Sequence, residues 1–383
     1  MSKWVIIGGG VQATTIAIHL RALGLSQNNL HIIDPHERLM AQFEMQTTRI
    51  GMEYLRSPIV HHCHPAPFDL KNFARDEHYA QPFKGRHQRP RLDMFFDHTR
   101  HWIETYQLES CHIRQAAIDI KREGHGWSIE LDNGEWICAD DVVLAMGTHH
   151  HPFIPEIFQN VALATHIHDA STQPCYEASH VVGSGISAGH LTLKLLAEHP
   201  ERLIHLWMKK EIEMFAFDAD PAWLGPKNMR GFHQETDMSK RIKINRQERH
   251  KGSMPRDMVM SLKHYEQKGR LIVHQDPIIA CDEHHIVTEN ERVSFDRILL
   301  ATGFKYDVMQ QPLMRRLCAM KEAECVEEFP RTTTELEWLP HLYVAGMMAD
   351  LELGPFARNI MGGRQAALRI GEAFQNEEKH LAS

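Results

Sequence analysis

Apolar residues along the chain gather into short unbroken runs that each end in glycine or an acid: WVIIGGG from Trp4, HIID from His31, DVVLAMG from Asp141, VVGSG from Val181 and DRILLATG from Asp296. Runs of this kind read as strands covered on both faces, the habit of parallel sheets with helices above and below. The runs at 141 and 296 each follow a hairpin. The first is WSIELDNGEWICA, whose Asn133-Gly134 pair predicts a type I′ turn, and the second is HHIVTENERVSF. A glycine turn, a three-stranded meander and a closing strand therefore occur twice. The pattern predicts an α/β protein with two Rossmann-like dinucleotide-binding domains, each a three-layer parallel sheet carrying a β-meander.

The final segment, HLYVAGMMADLELGPFARNIMGGRQAALRIGEAF, predicts a strand, a glycine turn, a loop and a helix with Pro355 at its first position. It has no counterpart in the middle unit, so it is expected to return to the first domain. That places the first part of one domain at 1–172, an inserted domain at 173–304 and the return segment at 305–383. Between Asp34 and Thr105 the chain loses its strand–helix rhythm and becomes rich in His, Phe, Pro and Arg. This 35–105 insertion reads either as a cover over a ligand or as a structural lid.

The two glycine turns have matched spacing. Gly8, Gly10 and Ala13 take the G-x-G-x-x-G/A places in the first, and Asp34 follows 24 residues after Gly10. Gly183, Gly185 and Ala188 repeat the spacing, and Lys209 stands 24 residues after Gly185. Such glycines let a strand turn sharply into a helix, so that backbone N–H groups and the helix N-terminus face a pyrophosphate. The side chain that follows on the next strand reads the ribose. A carboxylate accepts hydrogen bonds from a free 2′-hydroxyl and repels a 2′-phosphate, which Lys209 or Lys210 would attract. The residues therefore assign FAD to the first turn and NADPH to the second. Cofactor-facing positions extend to Gln12, Pro35, Ala117, Met146 and Gly147 on the FAD side, and to Ile186, Ser187, Thr302 and Gly303 around the second turn.

Length and composition narrow the class. At 383 residues the chain exceeds the ~250–300 that one core normally supports, and an apolar fraction of 43% suffices for two. A net charge of −8 argues against nucleic acid or an anionic membrane as partner. No apolar run reaches the ~18 residues of a membrane helix. The first strand begins too early to leave room for a cleavable signal peptide. None of the seven cysteines forms a C-x-x-C pair, which points to free thiols in a reducing compartment, the cytoplasm. Cys63 has no nearby partner in sequence and reads as an inert thiol. The runs HHCH at 61–64 and HHH at 149–151 lack the spacing that sets ligands tetrahedrally, so no metal is assigned.

ATGF at 301–304 and RPRLDMFFDHTRHWIE at 89–104, with Arg91, Asp93 and Phe95, resemble elements of two-dinucleotide-binding-domain flavoproteins. The likeness is to flavin-dependent monooxygenases, in particular the lysine/ornithine N-hydroxylase group. One fingerprint departs from that pattern. The stretch before the second glycine turn is ALATHIHDAST, where Ala162 and Ala164 replace the Phe and Gly of F-x-G-x-x-x-H and only His168 matches. The resemblance implies that NADPH reduces the flavin, O₂ adds at C4a, and the peroxyflavin passes one oxygen to an amine or thioether of a small metabolite. The cofactor carries that chemistry, so no catalytic side chain is assigned. Gly354, Arg358 and Asn359 are expected beside the isoalloxazine. Arg49, Arg56 and Arg91 are expected either to receive a substrate carboxylate or to serve as salt-bridge partners. A flavin or disulfide reductase and a degenerate FAD-binding protein share the same sequence features, and a homo-oligomer is left open.

Overall fold

The computed structural model describes residues 2–147, 151–305, 309 and 311–382. Each apolar run becomes a central strand for the expected reason. Trp4–Ile7 is buried along its whole length and pairs in parallel with Leu30–Ile33 on one side and Asp141–Leu144 on the other. These three lie inside a six-stranded sheet ordered Glu337–Leu339, Leu342–Val344, Asp141–Leu144, Trp4–Ile7, Leu30–Ile33, His112–Ile113. All of its pairings are parallel except the outer one between Glu337–Leu339 and Leu342–Val344. Strands from both ends of the chain thus share one sheet. Trp4 ties them through its side chain, stacking on Tyr343 and meeting the edge of Phe374.

The middle of the chain builds a second, wholly parallel sheet of five strands, ordered Ala164–His166, Ile298–Leu300, His180–Val182, Ile204–Trp207, Leu271–His274. Its edge strand Ala164–His166 lies ahead of position 173, so the sheet recruits chain from before the expected boundary. The two meanders are present at Ala117–Ala139 and Ala280–Ser294. The first hairpin turns differently from expectation. Leu131 accepts from Gly134 N and donates to Glu135 O, and only Gly134 of the Asn-Gly pair has positive φ. That is a type I turn with a glycine bulge, because the Asn133 side chain accepts from Glu135 N and holds its own residue in right-handed backbone.

The 35–105 insertion is ordered chain with helices at Ala41–Arg49, Asp69–Asp76 and Leu92–Thr105 and a small hairpin pairing Phe83–Lys84 with Arg89–Pro90. It packs on the first core through Leu55, Cys63, Phe95 and Phe96. At the other end of the chain, Pro355 does not start the closing helix. It sits in a separate 3₁₀ turn, Gly354–Phe356, and the helix begins later, at Ile360. Asn359 stands just before that helix, and its Oδ1 accepts from Gly362 N, as an N-terminal cap does.

Candidate cofactor-binding site

The first glycine turn is shaped by two close approaches. Gly8 has a φ of +117°, and a Cβ there would lie 2.5 Å from the carbonyl oxygen of Ala145 on the neighbouring strand end. Only glycine fits both constraints. Gly9, which the G-x-G pattern leaves free, is also fixed: a Cβ would lie 2.8 Å from Cγ of Asp34, whose Oδ2 accepts from Gly9 N at 2.7 Å. Asp34 Oδ1 meanwhile accepts from His36 N and contacts His36 Nδ1 at 2.7 Å. Burial opposes the Asp34 charge, but the bonds from His36 and Gly9 outweigh it and hold the carboxyl below its ordinary range. The same contact raises His36. Gly9 and His36 were not singled out from sequence; the run of three glycines was the available signal for the former.

Gly10 caps helix Val11–Ala22 with backbone alone: no side chain bonds to the helix start, no acid lies in its first turn, and a Cβ on Gly10 would meet nothing within 4 Å. A helix N-terminus left in this state presents unpaired N–H groups and the positive end of its dipole to whatever fills the groove. Ala13, fully buried, lets the helix lie close to the sheet. Gln12 is turned elsewhere: its Nε2 donates to the backbone oxygens of Asn359 and Ala357, at 2.9 and 3.3 Å. The first turn and the start of the closing helix are thereby held together. Met146 and Gly147 follow the strand whose end touches Gly8, Pro35 follows Asp34, and Ala117 opens the first meander.

Arg358 is paired within the chain. Its Nε and Nη2 reach the carboxylate of buried Asp350 at 2.9 and 2.5 Å. Burial pushes Asp350 up and the guanidinium opposes it. Gly354, with φ of +71°, faces Met229 of the second unit, where a Cβ would lie 3.1 Å from the sulfur.

The second turn repeats the first. A Cβ on Gly183 would lie 2.4 Å from the carbonyl oxygen of Ala301, the counterpart of Ala145. Gly185 caps helix Ile186–Glu198 without side-chain help, so Ile186 and Ser187 supply uncapped first-turn backbone, and Ala188 is buried beneath. Lys209 N donates to Ser184 Oγ at 2.8 Å, while its ammonium, on an exposed side chain, makes no hydrogen bond or ion pair among the described residues. Lys210 is engaged with Glu213 and with the backbone oxygen of Lys251, each at 2.9 Å. Thr302 and Gly303 lie where the units cross over: Thr302 Oγ1 donates to Phe153 O, and Phe153 N donates to Gly303 O at 2.9 Å. His168 stacks on Phe304 beside them.

The three arginines bond within the chain. Arg49, buried, donates to the backbone oxygens of Ile167, Asp169 and Thr172. Arg56 meets Asp218 and Ser253 Oγ, both at 2.8 Å, and the backbone oxygens of Phe215, Ala216 and Phe217. Arg91 pairs with Asp93 and with the oxygen of Ala80. Of the two roles open to them from sequence, bracing of the chain is the one these contacts favour. In the HHCH run, His62 bonds to Pro67 O and His64 stacks on Trp102. Asp69, found only through the fold, gathers His98 Nε2 and Trp102 Nε1, each at 2.7 Å. Among the described residues no cluster has the make-up of a metal site. His149 and His150 lie outside those residues.

A FAD-NAD(P)-binding family model matches residues 5–149, across the first turn, Asp34 and the strand behind Gly8. The model of L-lysine 6-monooxygenase/L-ornithine 5-monooxygenase matches residues 96–306, more than half of the chain. The chain belongs to that family. As a lysine/ornithine monooxygenase family member it is a flavin-dependent monooxygenase that uses FAD and NADPH, which decides against the reductase alternative. Solved structures agree on the fold. The ornithine N-hydroxylase of Kutzneria sp. 744 superposes with a TM-score of 0.78 at 12% identity, over 99% of this chain and 100% of that one. The ornithine hydroxylase PvdA of Pseudomonas aeruginosa gives 0.73 at 14%, over 97% and 98%. A bacillithiol disulfide reductase of Bacillus cereus gives 0.62 at 15%, over 98% and 99%. No curated protein matches the family member in sequence. None of its described helices is long and apolar enough to cross a membrane.

Proposed function

We propose that this protein hydroxylates the amine nitrogen of a small metabolite, with FAD held at the first glycine turn and NADPH at the second. The observation that carries the reading is the contrast between two equivalent helix N-termini, both without a protein cap, one set beside the Asp34 carboxylate and the other beside the backbone of Lys209, whose ammonium makes no hydrogen bond or ion pair among the described residues. An acid suits a free ribose; a lysine suits a 2′-phosphate. Bound FAD would accept two electrons from NADPH and deliver one oxygen atom of O₂ to the amine, the other leaving as water.

The chain's own residues bind, orient and exclude water. Backbone N–H groups at Gly10–Gln12 and Gly185–Ser187 hold the two pyrophosphates. Asp34, fixed by Gly9 and His36, takes the flavin-side ribose. Gln12 fastens the start of the closing helix beside the first turn, so that the positive end of its dipole favours negative charge on the reduced ring. Arg358, through Asp350, sets the turn that carries Gly354 there. The NADPH unit spans 173–304 together with the strand at 164, and the remainder of the chain forms the FAD unit. Structural neighbours include an ornithine hydroxylase, an L-lysine 6-monooxygenase and a cadaverine monooxygenase, and an ω-amine is the feature those three amines share. The free thiols support a cytoplasmic setting.

The test is to mix the FAD-loaded protein with NADPH without air, then admit air with ornithine, lysine or cadaverine, following flavin absorbance, O₂ uptake and hydroxylamine formation. Bleaching by NADPH followed by one hydroxylamine formed per NADPH with one amine is expected. Bleaching with O₂ consumed only to peroxide for every amine would overturn the substrate class, and no bleaching would overturn the cofactor assignment.

A further inference from the structure

Two thiols that are separate in sequence meet in the fold. Cys318 ends the helix Pro312–Cys318, and Cys325 opens the small hairpin that pairs Cys325–Val326 with Phe329–Pro330. Their sulfurs lie 3.8 Å apart, and both residues are half-buried, so a small oxidant reaches them. The other cysteines lack such a neighbour: Cys175 is also half-buried but meets no other sulfur among the described residues. Cys63 and Cys111 are buried, and burial pushes the Cys281 thiol up to about 11. Cys138 is exposed and has no thiol neighbour in contact.

We propose that Cys318 and Cys325 form a peroxide-sensitive dithiol that closes reversibly to an intramolecular disulfide. The S–H···S contact between them holds the Cys318 thiol below its ordinary range and raises that of Cys325. Cys318 is therefore the attacking sulfur and Cys325 the resolving one. The Cys318 thiolate attacks one oxygen of hydrogen peroxide; the O–O bond breaks, the released hydroxide takes up a proton, and Cys318 becomes a sulfenic acid. The Cys325 sulfur then attacks the Cys318 sulfur, the S–O bond breaks, and a second water leaves with the Cys325 proton. Two thiols lose two electrons and one peroxide becomes two waters. The sulfurs must close from 3.8 Å to about 2 Å, which the six-residue loop between them, mostly exposed, can absorb. The disulfide would fasten the root of a hairpin whose Phe329 packs with Met347, Leu351 and Ile242, the last from a helix of the second unit.

The experiment uses FAD-loaded protein without NADPH, so it does not depend on turnover. Near-equimolar hydrogen peroxide is added, remaining thiols are alkylated, and tryptic peptides are mapped without reductant. Cleavage after Arg316, Lys321 and Arg331 separates the two cysteines, so the bond appears as Leu317–Lys321 joined to Glu322–Arg331. The expected result is that this linked peptide is the first oxidation product, that two of the seven thiols are lost, and that dithiothreitol restores both. In Cys325→Ser the same dose should leave Cys318 trapped as a dimedone adduct. Oxidation falling first on Cys138 or Cys281, or a link between chains, would overturn the proposal, as would equal labelling of Cys318 with and without peroxide.

Discussion

At Gly8 and Gly10, two positions apart, the same added methyl group meets opposite surroundings. Gly8→Ala drives a Cβ toward the Ala145 oxygen from a left-handed backbone, and should cost at least about 1–3 kcal/mol of stability as well as flavin content, read by thermal melting and by the ratio of flavin to protein absorbance. Gly10→Ala meets open space at a negative φ. It should melt within about 0.5 kcal/mol of the parent yet bind FAD weakly, because the methyl group would enter the space proposed for the pyrophosphate. Equal melting losses in both variants would contradict this division. Lys209 and Lys210 differ in the same spirit. Removing the Lys209 ammonium, which has no partner among the described residues, in Lys209→Ala should raise the KM for NADPH roughly 10–100-fold and leave that for NADH nearly unchanged, since a charged hydrogen bond is worth about 1.5–3 kcal/mol. Lys210→Ala, which removes an ammonium already shared with Glu213 and Lys251, should do much less. Asp34 and Lys209 were legible in the sequence because a fixed count from a glycine turn delivers them to the tip of the next strand. His36 and Ser184 were not, because what assigns them is a hydrogen bond and not a spacing.

Between elements, the second sheet carries a feature that only strand register reveals. His180, His205 and His274 come from three adjacent strands, and their rings stack at 4.4 and 5.2 Å, with Trp207 against His274 at 3.7 Å. The parallel register pairs His180 with His205 and Trp207 with His274, placing all four on one face. Burial lowers His180 to about 3 and His205 to about 4. Unfolded histidine titrates near 6.5, so below that pH the unfolded chain takes up protons the folded chain refuses. Stability is therefore fully present above about pH 6.5 and is lost as pH falls toward 4, with His61, His166 and His190 adding in the same direction. Melting temperature should drop steeply across that window. His180→Phe should flatten the slope by about one proton, and an unchanged slope would remove His180 from the account. The composition shows 29 histidines, but nothing in the linear pattern says which of them share a face. Strands and meanders, by contrast, were legible because apolar runs and hairpin signals are local. The turn type at Asn133 was missed because the same dipeptide serves two turns, and a side-chain bond selects between them.

Across the whole molecule, the 35–105 insertion braces one unit against the other, and Arg56 is its main rivet. Arg56→Ala would leave Asp218 and several carbonyls without their donor and should destabilise the fold by about 3 kcal/mol, measured by denaturant melting. Because it also loosens the two units, it should raise the peroxide released per NADPH oxidised. Undiminished coupling together with lost stability would confine Arg56 to folding. This bracing was invisible in sequence because its partners stand 159 to 197 positions away. The two-unit plan was visible because each unit carries its own copy of one signature. The bond between Gln12 and Asn359 spans 347 residues, and the strand beside Gly8 is covered on its far side by Leu342–Val344. On a ribosome adding about 5–20 residues per second, the first turn would wait roughly 20–70 s for the segment that closes it. A nascent chain in that interval presents an unfinished sheet edge beside the proposed flavin groove, so a chain truncated before Leu342 is expected to bind no FAD and to be cut by proteases faster than the full chain.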